Sequence, residues 1–70
     1  MPQLHLSETD EAILEILTEG RNVPSNIADR LEFTRQYVQQ RLKRLEEHGH
    51  VANIGSGLYE LRDDPRDTNR

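Results

Sequence analysis

The sequence predicts a mainly α fold with a small β-hairpin (α+β): three helices followed by two short strands, in one domain. Three observations carry this. Apolar residues recur at helical spacing in three separate stretches. Each stretch begins at a good cap or at a proline suited to a first helical turn, and two of them run into a glycine. After the third, two short runs flank Gly55-Ser56-Gly57, which is a hairpin signal.

The first helix is expected over residues 8–19. Ser7 is a good N-cap, and Asp10 stands three residues on, at capping-box spacing. Ile13, Ile16 and Leu17 follow at i, i+3, i+4, and Gly20 is a stop. Glu8, Glu11, Glu15 and Glu19 crowd the outer side, a face that would repel a phosphate backbone. Arg21-Asn22-Val23 reads as a short extended connector. Pro24 suits a first helical position because it has no N–H to leave unpaired. Ile27, Ala28 and Leu31 make a short apolar stripe, so the second helix is expected over residues 24–31. Glu32-Phe33-Thr34 is a tight link, with Phe33 expected to plug the core. Thr34 caps a third helix over residues 35–48, in which Val38, Leu42 and Leu45 share one buried face. Gly49 fits a left-handed C-cap. Strands are expected over residues 51–54 and 58–61, with Tyr59 in the core. Residues 1–6 read as an N-terminal arm and 7–62 as the folded domain. Residues 63–70 have no apolar side chain and are expected to be a disordered tail.

Bulk properties exclude several function classes. Seventy residues allow one domain with a small core, and a deep catalytic cleft is not expected. No Ser/His/Asp or paired-carboxylate constellation stands out, so the chain is read as not an enzyme. The absence of cysteine excludes disulfides, thiolate metal sites and iron–sulfur clusters, and fits an intracellular, cytoplasmic protein. His5, His48 and His50 do not make a metal site: His48 suits the helix dipole, and the rest is a loose His-x-His without cysteine. No cofactor and no small-molecule effector is expected. Apolar runs are only a few residues long, so nothing is expected to span a membrane, and MPQLHLSETDE does not read as a signal peptide. Acids outnumber bases thirteen to nine, as in folded acidic domains that live in high salt.

Helix, short helix, three-residue turn, longer helix and hairpin is the order of a winged helix-turn-helix, whose third helix enters the DNA major groove. The stretches VPSNIADRLEFTRQYVQQRLKRLEEHGHV and IGSGLYEL also resemble winged-helix regulators of the MarR-like type. The similarity is greatest to small haloarchaeal proteins resembling a halophage repressor. They share a Pro-Ser-x-Ile-Ala opening to the second helix, here from Pro24, and a Ser/Thr-Arg-x-x-Val opening to the third, here from Thr34. They also share a Leu-x-x-Leu-x-x-x-Gly ending, here Leu42 to Gly49, and a Gly-x-Gly-x-Tyr wing, here Gly55 to Tyr59. The resemblance covers roughly residues 8–62. It implies a transcription regulator, with repression the expected mode.

The charge map agrees. Residues 34–45, TRQYVQQRLKRL, hold Arg35, Arg41, Lys43 and Arg44 and no acid; the remaining five bases and thirteen acids leave −8 elsewhere. At about 100° per residue, taking Val38, Leu42 and Leu45 as inward, Gln36, Gln40 and Lys43 point out. Gln39 and Arg44 flank that face, and Tyr37 and Arg41 lie nearer the core boundary. Glutamine can bond adenine in a bidentate manner, and Arg or Lys can bond guanine or phosphate. The expected DNA-binding set is therefore Thr34, Arg35, Gln36, Tyr37, Gln39, Gln40, Arg41, Lys43 and Arg44. Ser25 and Asn26 add the second helix's N-terminal N–H groups, and Ser56 the wing tip. Arg62 is a candidate for the charge the wing tip lacks. A basic, Gln-rich face standing alone is ordinary solvated surface; the complete helix-turn-helix-wing pattern favours an interface with double-stranded DNA. A single module covers little DNA, so a homodimer is expected, held by Leu4 and Leu6 with the first helix. The rival reading is a protein-interaction winged helix that docks a basic partner on its acidic first helix. Few aromatics are present to stack on RNA bases.

Overall fold

The computed structural model describes residues 6–66. Its elements are α1 (Glu8–Thr18), α2 (Pro24–Leu31), α3 (Arg35–Glu47), β1 (Val51–Asn53) and β2 (Tyr59–Leu61). The expected helices are met to within a residue. The strands are shorter than expected, because Ile54 and Leu58 belong to the turn.

Helix α1 starts on a complete capping box. Asp10 N–H donates to Ser7 Oγ at 3.1 Å, and Ser7 N–H donates to Asp10 Oδ2 at 3.0 Å. Two of the helix's orphan N–H groups are thereby satisfied. Helix α2 has Val23 as its N-cap with no side-chain bond, and Pro24 begins it without needing one. Both α2 and α3 end in the same hydrogen-bonded device. Phe33 N–H reaches back to Ala28 O and Glu32 N–H to Asp29 O; His50 N–H reaches Leu45 O and Gly49 N–H Glu46 O. These are Schellman motifs, which place one residue in the left-handed region. Gly49 takes that conformation at φ 80°, but after α2 it falls to Glu32, at φ 62°.

That turn overturns the expectation for Phe33. Its backbone is committed to the Schellman motif, and the chain reverses before the side chain can reach inward. The ring is 42% exposed and packs edge-on against Tyr37, with centroids 5.4 Å apart.

The core consists of Ile13, Leu14, Ile16 and Leu17 of α1, Ile27 and Ala28 of α2, Val38, Leu42 and Leu45 of α3, and Val51 and Tyr59 of the hairpin. Every helix thus donates its apolar stripe to one cluster, and burial of that stripe is the main favourable contribution to folding. The strands pair antiparallel with Val51 opposite Leu61 and Asn53 opposite Tyr59. Tyr59 is also bridged on its other edge by Asn22, through N–H···O bonds of 3.0 and 2.8 Å. The α1–α2 connector therefore acts as a third, one-residue strand and anchors the wing's base to the body.

Two expectations for the termini change. Leu6 is half-buried against the core rather than displayed, and Leu4 lies outside the described residues. Residues 63–66 of the expected tail do make contacts. Arg66 pairs with Asp64 at 2.7 Å and with Glu15 of α1 at 3.0 Å. A polar segment without apolar residues is held here by charge, which apolar periodicity does not register. Residues 67–70 of that tail lie outside the described residues.

Candidate nucleic-acid interface

Helix α3 packs on α1, α2 and β1 through Val38, Leu42 and Leu45, each fully buried. Its opposite face is open. Arg35, Gln36, Gln39, Gln40, Lys43 and Arg44 are all exposed. Thr34 Oγ1 accepts the Tyr37 N–H at 3.1 Å, closing the N-terminus of α3 and fixing how its first turn projects. On the side toward the wing, Gln36, Gln39, Gln40 and Lys43 line an open hollow of about 310 Å³ whose floor includes Tyr59. By helical spacing, Arg44 falls on the other flank of the helix.

Charge pairing separates this face from the rest of the molecule. Arg21 and Arg62 both bond Glu60, at 3.3 and 3.0 Å. Arg30 bonds Glu19 at 2.8 Å, and Arg66 bonds Glu15 and Asp64. Among the described residues, the cations with no carboxylate within 4.0 Å are Arg35, Lys43 and Arg44, all on α3. Arg62, the candidate for the wing's missing charge, is thus engaged by Glu60 of β2, just before it in the chain.

Arg41 leaves the expected DNA-binding set. Its guanidinium turns toward α1 and bonds Asp10 in a bidentate manner, Nε to Oδ1 at 2.7 Å and Nη2 to Oδ2 at 2.6 Å. Asp10 has no exposure to solvent. Burial pushes its carboxyl up, but the hydrogen bond from Arg41, the Ser7 N–H and Arg41's charge together outweigh this and hold it below its ordinary value. The hydrogen bond to Asp10 likewise raises Arg41. Helical spacing put Arg41 near the core boundary; the partner was not visible because Asp10 is thirty-one residues away. The capping-box position was the one available signal that this acid is not merely surface. Tyr37 shares the flank, with its hydroxyl 3.3 Å from Thr9 Oγ1, and so packs at the domain edge.

The remaining candidates sit around this face. Ser25 and Asn26 are exposed in the first turn of α2; the Asn26 amide donates to Asn22 Oδ1 at 2.9 Å. Ser56 is exposed at the wing tip at φ 54°, between Gly55 and Gly57, both also at positive φ. Leu58 N–H to Gly55 O at 2.9 Å closes that turn. His48 and His50 stack with ring centroids 6.2 Å apart, and no group of three metal-ligating side chains occurs among the described residues. No described helix is long and apolar enough to cross a membrane.

Residues 6–51 match the protein family described as winged helix-turn-helix DNA-binding. Among solved structures, that of wild-type ZitR from Lactococcus lactis is similar, with a TM-score of 0.79 and 27% identity over 90% of this chain and 45% of that one. The chain therefore spans about half the length of that relative. None of the curated proteins matches it.

Proposed function

The chain belongs to the winged helix-turn-helix DNA-binding family, and on that premise we propose that it is a sequence-specific regulator that reads the major groove of double-stranded DNA with α3. The observation that carries this is the distribution of unpaired cations. Arg35, Lys43 and Arg44 stand on α3 beside three exposed glutamines, while the other described cations hold carboxylates. In a chain of net charge −4, an acid-free face with uncommitted cations is the surface that suits a polyanion. The N-terminus of α2 at Ser25 and Asn26, and the wing tip at Ser56, supply secondary phosphate contacts through backbone N–H groups. The activity is binding rather than catalysis.

The mode of regulation is repression by occupancy, and the subtype is MarR-like, close to the haloarchaeal halophage-repressor-like proteins. The motifs from Pro24 to Tyr59 support that subtype. Two copies acting across a two-fold axis would read a palindromic site, since one module covers only about 600–1,000 Å² of interface.

A mobility-shift titration on duplex DNA over a salt series tests the reading. Log affinity is expected to fall linearly with log salt, at about −0.9 per phosphate neutralised, so about −1.8 per protomer for Arg35 and Arg44. Failure to shift any duplex at low salt, together with capture of a basic protein by the α1 face, would favour the interaction-module alternative.

A further inference from the structure

The side chains lining the hollow between α3 and the wing differ from those of a guanine-reading surface. Bidentate guanine readers are chiefly arginines, whose paired donors match the O6 and N7 acceptors. Here Arg41 is locked to buried Asp10, Arg44 lies on the far flank, and Arg35 is in the first turn. What lines the hollow is Gln36, Gln39, Gln40 and one cation, Lys43. A carboxamide offers a donor and an acceptor side by side. That pair matches adenine, which presents the N7 acceptor next to the N6 donor in the major groove. Against guanine, the amide oxygen would face O6, acceptor against acceptor.

Resting on the DNA-binding reading above, we infer that the half-site is centred on A·T pairs, whose adenines are read by Gln36 and Gln40, with Lys43 at the edge of the read segment. Along α3, Gln36 and Gln40 are separated by about 6 Å of axial rise, and Gln36 and Lys43 by about 10.5 Å. With base pairs about 3.4 Å apart, these spans correspond to roughly two and three steps. The read segment is therefore about four base pairs long. Two A·T positions about two pairs apart form its body, and a less discriminated pair faces the Lys43 ammonium. Specificity carried by neutral amides is also insensitive to salt, unlike the phosphate contacts from Arg35 and Arg44.

Selection of bound duplexes from a random pool, with the full chain, is the test. The enriched core should hold A·T pairs at two positions about two steps apart. Exchanging either pair for G·C should weaken binding about 5- to 140-fold. Gln36→Ala and Gln40→Ala, both at exposed positions and checked for helical content by circular dichroism, should each erase the preference at one position and leave the other. Replacing the target adenine by 7-deazaadenine, which removes the N7 acceptor and keeps the pair, should weaken the wild type and not the matching variant. A guanine-rich core overturns the inference while leaving DNA binding intact. So does an A·T preference that survives both substitutions and the 7-deaza change, which would mean that groove shape is read instead. A protein that shifts no duplex at low salt overturns both this inference and the reading it rests on.

Discussion

Helices α1 and α3 share a plan and differ in what they do with charge. Each buries an apolar stripe in the same core and exposes a polar face. The face of α1 is acidic, and exposed carboxylates on the helix and at its C-cap are partners for arginines elsewhere: Glu15 for Arg66 and Glu19 for Arg30. The face of α3 carries no acid from Arg35 to Leu45, and its cations Arg35, Lys43 and Arg44 have no carboxylate partner. The one α3 cation that is paired, Arg41, is paired to α1. In an acidic chain, therefore, the informative surface is the one from which acids are missing and on which cations remain uncommitted. Paired arginines knit the molecule; unpaired ones stay exposed on its surface.

Arg41 and Arg44 make the sharpest version of this comparison. Arg41→Ala strands a fully buried Asp10 carboxylate. Breaking a buried pair by removing one partner costs about 3–5 kcal/mol, and the partial exposure of Arg41, 26% of its side chain, puts the expected loss at the lower end. Urea unfolding should report it. Arg44→Ala should leave that stability within about 0.5 kcal/mol. Equal losses from the two would erase the distinction between knitting and uncommitted arginines.

Next in size are the positions proposed to read bases. Gln36→Ala, Gln40→Ala or Lys43→Ala should each cost about 1–3 kcal/mol in affinity for a specific duplex, with folding unchanged. Ser56→Ala should do little in comparison. Normal binding by Gln40→Ala beside failure of Ser56→Ala would make the wing the reader. Arg44→Ala should weaken all sequences alike and flatten the salt slope by about one unit.

The Asp10–Arg41 pair also predicts a pH dependence. Asp10 has a folded-state pKa below its unfolded value of about 3.9, so its stabilisation is complete at neutral pH. It is lost as pH falls, starting below about pH 5 and proceeding through the folded value. Thermal unfolding of Asp10→Asn should start lower at pH 7 and change less between pH 5 and 2 than the wild type does. A parallel decline in the two proteins would mean that other carboxylates set the acid limb.

A small effect on stability is expected at the C-terminal segment. Glu15 is 70% exposed, so its bond to Arg66 is largely solvated. Arg66→Ala should lower stability by about 0–1 kcal/mol, a shift of at most about 8 °C in Tm. A loss as large as that of Arg41→Ala would make residues 63–66 part of the core structure.

Local chemistry accounts for what was legible in advance. The Ser7–Asp10 capping box, Pro24 at a first turn, the Thr34 cap and the left-handed Gly49 each act within a few residues, and each marks a helix end where it is found. The apolar periods of α1 and α3 determined which faces are buried, and so which face of α3 is left exposed. Tertiary structure alone decided which groups far apart in the chain pair. Asp10 finds Arg41, Glu15 finds Arg66, and the Asn22 backbone finds that of Tyr59, because α1, the connector, α3, the hairpin and the C-terminal segment meet only after collapse. It also decided the fate of Phe33, since a left-handed residue at Glu32 carries no glycine to announce it. Periodicity states how far a side chain points from the core. Whether an arginine at that boundary turns inward to a buried acid or outward to a phosphate depends on which acid the fold brings within 3 Å, and spacing along one helix does not contain that information.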